Sequence, residues 1–197
     1  SLEEHIEHIK TVMYALKEAK LKINPNKCKW IATTINLLGY TITENTVEID
    51  ESRIEAIKNR PRPTNAKQVE RFLGLANYFR HFIKDFAKYS NCLYRLTHKD
   101  VQFEWNDECE VSFQTLKDKL TKEPILAQIK LGEPCRVYSD ASKHFIGGYL
   151  AQIQDGKERV ISYASRATRD AEKNYSISEL ECLAAIFMIK KFRVYLY

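Results

Sequence analysis

The sequence predicts an α+β fold, because helical and strand-like segments occupy separate stretches of its 197 residues. Apolar residues recur every three or four positions in residues 3–20, 69–96 and 107–120, which is the spacing of a helix with one buried side. β-branched and aromatic residues instead form short runs in residues 28–42 and 135–164. The balance of 44% hydrophobic and 29% charged residues is that of an ordinary globular protein.

The first predicted helix covers Glu3 to Lys20, and we expect its apolar side to be buried. That side carries Ile6, Ile9, Val12, Met13 and Leu16. Asn24-Pro25-Asn26 ends the helix. The following β-branched residues predict two antiparallel strands, Cys28 to Ile31 and Ile35 to Ile42, and a turn begins at Glu44-Asn45.

A short helix follows, with Asp50 as a suitable N-cap. Pro61 and Pro63 must end it, because proline lacks a backbone N–H and restricts the residue before it. We expect Pro61 to Thr64 to mark a break between two parts of the chain.

Three more helices are predicted after this linker. The first extends from Val69 to Phe79, and the second contains Phe86, Tyr89, Cys92, Leu93 and Leu96. Asn106 or Asp107 caps the third, and Pro124 closes it. Its apolar residues, spaced four, three and four apart, are Cys109, Phe113, Leu116 and Leu120.

The last part of the chain predicts three antiparallel strands and a helix. The strands are Cys135 to Asp140, Ile146 to Ile153 and Arg159 to Ala164. Asp155-Gly156 between the second and third strands is a strong hairpin signal. Ser176 or Ser178 begins the helix. Because three strands and one helix do not close a domain, we expect this unit to be partial.

Charge and cysteine content indicate the class of partner and the compartment. The formal charge of +5 and the pI near 8.8 favour a polyanionic partner, although a mildly basic protein of another kind has the same balance. The five cysteines are scattered, without zinc spacing or a disulfide pattern, so we expect an intracellular protein. No apolar run approaches the ~20 residues of a membrane span, and we expect no membrane partner.

Several stretches, taken in order, resemble the reverse transcriptase and RNase H of Ty3/gypsy-type LTR retrotransposons. These are Asn36-Leu-Leu-Gly-Tyr-Thr-Ile-Thr43, Arg71-Phe-Leu-Gly-Leu-Ala-Asn-Tyr-Phe-Arg-His-Phe-Ile83, Tyr138-Ser-Asp-Ala-Ser142, Ile161-Ser-Tyr-Ala-Ser-Arg166 and Tyr175-Ser-Ile-Ser-Glu-Leu-Glu181. The resemblance implies three parts. Residues 1–50 would be the end of the polymerase palm with a primer-grip-like hairpin, residues 51–127 an all-helical thumb, and residues 128–197 the N-terminal half of an RNase H domain.

This resemblance implies a surface that grips a template-primer duplex or an RNA/DNA hybrid. The primer grip would involve Leu38, Gly39 and Tyr40, and the thumb helix would contact the minor groove through Arg71, Gly74, Tyr78 and Arg80. From the residues alone, a strand bulge is the better explanation of Gly39, and the arginines could belong to a solvated helix surface.

The resemblance also implies part of a two-metal RNase H site, with Asp140 and Glu181 as magnesium ligands. Ser178 and Glu181 could instead form a capping box, as Ser176 and Glu179 could. We assign Glu179 to capping and Glu181 to the metal. The family needs two later aspartates, so we expect no tight magnesium binding and no nuclease activity from this chain alone.

Two functions fit these observations. The chain could be a fragment of an active reverse transcriptase and RNase H, although the polymerase Asp-Asp turn is absent from it. It could also be a domesticated, catalytically dead module that binds protein or nucleic acid. In either case the partial RNase H unit predicts self-association, or a partner chain that completes the fold.

Overall fold

The structure is a computed structural model that describes residues 1–122 and 125–197. It contains two compact units, residues 1–32 and residues 33–197. In the first unit, helix α1 (Leu2–Glu18) begins with a capping box between Ser1 and Glu4. No residue of α1 within residues 1–32 is fully buried. The predicted buried side is therefore wrong, because this unit supplies no second long element for α1 to pack on.

The predicted strand from Cys28 to Ile31 is also wrong. Residues Pro25–Lys27 form a 3-10 turn, and the Asn24 side chain accepts a hydrogen bond from the Asn26 N–H at 3.1 Å. Local bonds of this kind compete with strand pairing. Ile31 has a positive φ of 52°, which an extended strand does not allow.

The first sheet is antiparallel and contains four short strands in the order β1-β2-β3-β4. They are β1 (Thr34–Leu37), β2 (Tyr40–Thr43), β3 (Thr46–Ile49) and β4 (Ile125–Ala127). The predicted single strand Ile35 to Ile42 is divided by a two-residue turn at Leu38 and Gly39, whose φ angles are 54° and 86°. Positive φ at both positions is the type I′ geometry that suits the twist of a hairpin.

The helices after the first sheet confirm the periodicity predictions. They are α2 (Glu51–Lys58), α3 (Ala66–Tyr78), α4 (Phe86–Arg95) and α5 (Asp107–Lys122). The predicted caps Asp50 and Asn106 accept bonds from the N–H groups of Ser52 and Cys109 at 3.0 and 2.9 Å. All four predicted core residues of α5 are buried. The predicted helix end at Pro124 lies outside the described residues.

The linker before α3 is fastened to α5. The Arg62 guanidinium lies 5.4 Å from the centre of the Trp105 ring and pairs with Glu110 at 3.7 Å. Lys117 Nζ donates to the Arg60 carbonyl at 2.9 Å. Pro63 is buried. Residues 33–197 form one compact unit, and the break expected at Pro61 to Thr64 stays a prediction within it.

The second sheet confirms the three strands predicted near the end of the chain. Its order is β5 (Cys135–Ala141), β6 (Phe145–Gln154) and β7 (Lys157–Ala167), all antiparallel. Helix α6 (Ile177–Lys191) and the short α7 (Arg193–Leu196) follow. Met188 of α6 and Phe192 pack on Leu150 in a small core. This arrangement confirms the predicted α+β class.

Strand β5 is an edge strand. In the described part of the chain it pairs with β6 alone, so one side of its backbone has no strand partner there. Across residues 1–122 and 125–197, no helix has the length and apolar character needed to cross a membrane.

Candidate nucleic-acid interface and acidic site

One side of α3 is exposed and polar along its whole length. Val69, Phe72, Leu73 and Ala76 are buried on the other side. The exposed residues repeat at intervals of three and four, and we call them the α3 stripe: Lys67, Glu70, Arg71, Gly74, Asn77 and Tyr78. The apolar side fixes the helix on the core, so the stripe is held outward.

Gly74 has no internal reason to be glycine. Apart from its two chain neighbours and the backbone of its own helix, no described atom lies within 4 Å of a Cβ built on it, and it is not among the residues with a positive φ. A glycine inside a helix costs about 0.5–1 kcal/mol relative to alanine. The residue therefore leaves a flat, open place on the α3 stripe at a cost in helix stability.

The β1–β2 turn meets the end of α3. The Tyr78 hydroxyl donates to the Leu38 carbonyl at 2.8 Å, and the Tyr40 hydroxyl donates to the Tyr78 carbonyl at 3.3 Å. The two rings are stacked, with centroids 5.4 Å apart. Burial raises the pKa of the Tyr40 hydroxyl, and the neighbouring Tyr78 raises it further, so Tyr40 remains a donor. Leu38 is 75% exposed and Tyr78 is 44% exposed.

The structure thus brings together most of the residues that the resemblance implied as nucleic-acid contacts. Leu38, Gly39 and Tyr40 adjoin Tyr78, and Gly74 lies one helical turn from Tyr78. These five residues form one surface.

The two arginines of this group are used differently. Arg71 is exposed on the α3 stripe and has no ion pair within the described residues. Arg80 donates to the Ser165 carbonyl of β7, and to Asn77 Oδ1 at 3.3 Å. Its guanidinium lies 5.6 Å from the centre of the Phe86 ring. Arg80 therefore fastens the end of α3 to the second sheet, and Arg71 is the free cation.

Asp140 lies near the end of strand β5, and Glu181 lies near the start of helix α6. Asp140 shares a face with Tyr138, which stacks on Tyr149 at 4.5 Å. It lines a cavity of ~340 Å³ together with Asp85, Lys88, Ser142 and His144. Helix α6 packs on the same sheet through Met188, which contacts the small core around Leu150. Among the described residues that line this cavity, Glu181 is absent.

Glu179 has the capping role that was predicted for it. Its carboxylate accepts from the Ser176 N–H at 2.7 Å, and its own N–H donates to Ser176 Oγ at 3.4 Å. The alternative box from Ser178 does not form, because Ser176 is the N-cap. Glu181 is exposed and is not needed for the cap.

Magnesium prefers carboxylate oxygens and needs several of them. Residues 1–122 and 125–197 contain no group of three or more His, Cys, Asp or Glu side chains that could hold a metal ion. Asp140 and Glu181 alone therefore do not fit the metal pair of an RNase H.

An ion pair that the sequence pattern does not indicate fixes the segment before α6. Glu172 accepts from both terminal nitrogens of Arg166, at 2.7 and 2.9 Å, and from the Arg169 N–H at 2.7 Å. These bonds lower the pKa of the Glu172 carboxyl to about 2. Arg166 also lies 5.4 Å from the centre of the Phe187 ring of α6. The motif that ends at Arg166 gives no sign of this acidic partner, which lies six residues later in the chain.

Comparison with known proteins gives matches along the whole chain. Residues 105–197 match the model of the RNase H-like domain found in reverse transcriptase. The Pol polyprotein of transposon 412 from Drosophila melanogaster is 35% identical over 99% of this chain, which spans 16% of that polyprotein. The Tf2-3 transposon polyprotein of Schizosaccharomyces pombe is 32% identical over 100% of this chain, which spans 15% of it.

Two solved structures share the fold. A foamy viral protease-reverse transcriptase dRH in complex with double-stranded DNA has a TM-score of 0.78 at 22% identity, over 99% of this chain and 34% of that one. A foamy viral protease-reverse transcriptase in complex with an RNA/DNA hybrid has a TM-score of 0.77 at 23% identity, over 98% of this chain and 26% of that one.

We predict that Glu172→Gln changes how the stability of the protein depends on pH below about pH 5. Because the folded pKa lies below the ordinary value of 4.5, the stabilisation is present above about pH 5 and is lost as the pH falls towards 2. At pH 7 the free energy of unfolding of the variant should be about 2 kcal/mol lower than that of wild type. Below pH 5 it should fall less steeply as the pH decreases. Thermal unfolding between pH 2 and 7 measures this. Glu104→Gln is the matched control, because Glu104 is exposed. Equal pH profiles for wild type and Glu172→Gln would refute the assignment.

Proposed function

We propose that this chain grips a nucleic-acid duplex. The proposal starts from the similarity of the whole chain to the Pol polyproteins of Ty3/gypsy-like retrotransposons, and from the match of residues 105–197 to the RNase H-like domain found in reverse transcriptase. The gripping surface would be the α3 stripe together with the β1–β2 turn. The partner would be a template-primer duplex or an RNA/DNA hybrid. Binding would depend on shape and charge and would not depend on base sequence.

The single observation that carries this proposal is Gly74. An A-like duplex has a wide, shallow minor groove, which a helix surface enters by shape. A helix that must approach sugars closely benefits from a position without a side chain. Gly74 supplies such a position at the centre of the exposed stripe, although neither packing nor backbone geometry inside the protein requires it.

Charge supports the same surface. Lys67 and Arg71 are exposed on the α3 stripe and can meet phosphates beside the groove. Tyr78 presents a flat, partly exposed ring next to Gly74. The solved relatives that share the fold were captured with double-stranded DNA and with an RNA/DNA hybrid, which makes these two duplexes the first to test.

We also propose that Asp140 and Glu181 are two of the acidic ligands of a larger magnesium site. On this chain they are too few, so the site would form only when further acidic residues are supplied. The open side of β5 is where an additional strand would pair.

An intracellular place of action is part of the proposal, because the five cysteines are all free thiols. Thiol labelling of the protein in cell extracts tests it, since disulfides there would contradict it.

We predict that Gly74→Ala separates stability from binding. The added methyl group should stabilise α3 by about 0.5–1 kcal/mol, and it should weaken duplex binding at least about fivefold because it blocks close approach. Denaturant unfolding and fluorescence anisotropy with a labelled hybrid measure the two effects. Asn91→Ala on α4 is the control and should raise helix propensity without changing affinity. Unchanged affinity in Gly74→Ala would contradict the groove contact.

Arg71→Ala should remove about one phosphate contact. We expect affinity for the hybrid to fall about five- to tenfold at low salt, and the slope of log affinity against log salt to decrease by about one. Arg95→Ala removes the same charge from an exposed position on α4 and should leave the slope unchanged. Equal slopes for Arg71→Ala and wild type would show that Arg71 does not meet a phosphate.

The purified chain should associate through its open β5 edge. Sedimentation velocity at rising protein concentration should show dimers or larger species, with or without magnesium, because two carboxylates do not hold the ion. A monomer in which the β5 amides exchange as slowly as those of α3 would contradict the open edge. A shift to one assembled species on adding magnesium would contradict the incomplete metal site.

A further inference from the structure

Tyr40 and Tyr78 form a reciprocal bridge between the hairpin turn and α3. Each hydroxyl donates to a backbone carbonyl on the other side, Tyr78 to Leu38 and Tyr40 to Tyr78 itself, at 2.8 and 3.3 Å. The partners of these two bonds are 40 and 38 residues apart in the chain, respectively. Because the rings also stack at an angle of 24°, the bridge combines two hydrogen bonds with one aromatic contact.

The surrounding side chains hold this bridge in one arrangement. The Tyr40 ring packs edge-on against Phe79 at 5.4 Å and stacks on Phe82 at 6.1 Å. A Cβ on Gly39 would lie 3.3 Å from the Arg53 side chain and 3.6 Å from Phe79. The turn therefore packs closely on the end of α3. The positive φ of Gly39 also disfavours any residue with a side chain at this position.

The geometry points to Tyr40 and Tyr78 as positioning residues that lock the hairpin turn to α3, so that the exposed turn and the α3 stripe form one preformed duplex-binding surface. The part of this inference that concerns the duplex rests on the proposed function. The Tyr78 hydroxyl is used inside the protein, and only the exposed part of its ring is left for a duplex.

The lock would act by removing a cost of binding. If the turn and the helix moved independently, a duplex would have to order one against the other before it touched both. Two hydroxyl bonds and a stacked pair impose that order beforehand, as the supporting residues of a rigid site do. Because both bonds restrain the same junction, breaking the second after the first should cost little more.

The test uses Tyr40→Phe, Tyr78→Phe and the double variant, which remove hydroxyls and keep the rings. Each single variant should bind a labelled RNA/DNA hybrid about fivefold more weakly, and the double variant should bind no worse than about tenfold more weakly than wild type. The salt slope should stay at the wild-type value, because no phosphate contact is removed. Wild-type affinity in both single variants, or a slope reduced by about one in Tyr78→Phe, would overturn the inference.

A matched control and a second measurement separate the lock from the proposed function. Tyr94→Phe removes an exposed hydroxyl on α4 and should change neither affinity nor exchange. Hydrogen exchange without nucleic acid should show faster exchange at residues 37–41 in both bridge variants, with no further increase in the double variant. If wild type binds no duplex, the proposed function fails while this exchange result still decides the lock. Unchanged exchange at residues 37–41 would overturn it.

Discussion

The aromatic junction at the end of α3 is the contact on which the rest of the larger unit depends. Tyr78 reaches the β1–β2 turn, and Phe79 and Phe82 pack around Tyr40 of the first sheet. Arg80, two residues after Tyr78, donates a hydrogen bond to the Ser165 carbonyl of the second sheet. One short segment therefore joins the hairpin, the helical part and the second sheet, which explains why residues 33–197 form one compact unit.

Elements specified by local chemistry could be predicted from the sequence. The buried side of α5 follows from its apolar spacing, and the starts of α2, α5 and α6 follow from Asp50, Asn106 and Ser176. Strands β3 and β4 were missed, because they have four and three residues and owe their form to pairing across the chain. The strand predicted at Cys28 does not form, because there a local interaction, the turn at Asn24, determines the backbone instead of pairing across the chain.

The resemblance named the residues of the candidate interface, but their contacts inside the protein could not be predicted from the sequence. Resemblance identified Gly74 and Tyr78, but the partner of each polar group lies far away in the chain. Nothing within α3 indicates that the Tyr78 hydroxyl is used by Leu38, or that Arg80 is used by Ser165. The surroundings of Asp140 and Glu181 could likewise be predicted only in part. Local capping separated Glu179 from Glu181, whereas the sheet face of Asp140 depends on its pairing with β6.

The central claim is that a duplex is held by the hairpin turn and the α3 stripe as one surface. Hydrogen exchange followed by mass spectrometry, with and without an RNA/DNA hybrid, tests it most directly. The account predicts slower exchange on binding at residues 37–41 and 66–78 together, with little change in α5. Protection confined to residues 135–167, or protection of α3 without the turn, would contradict it.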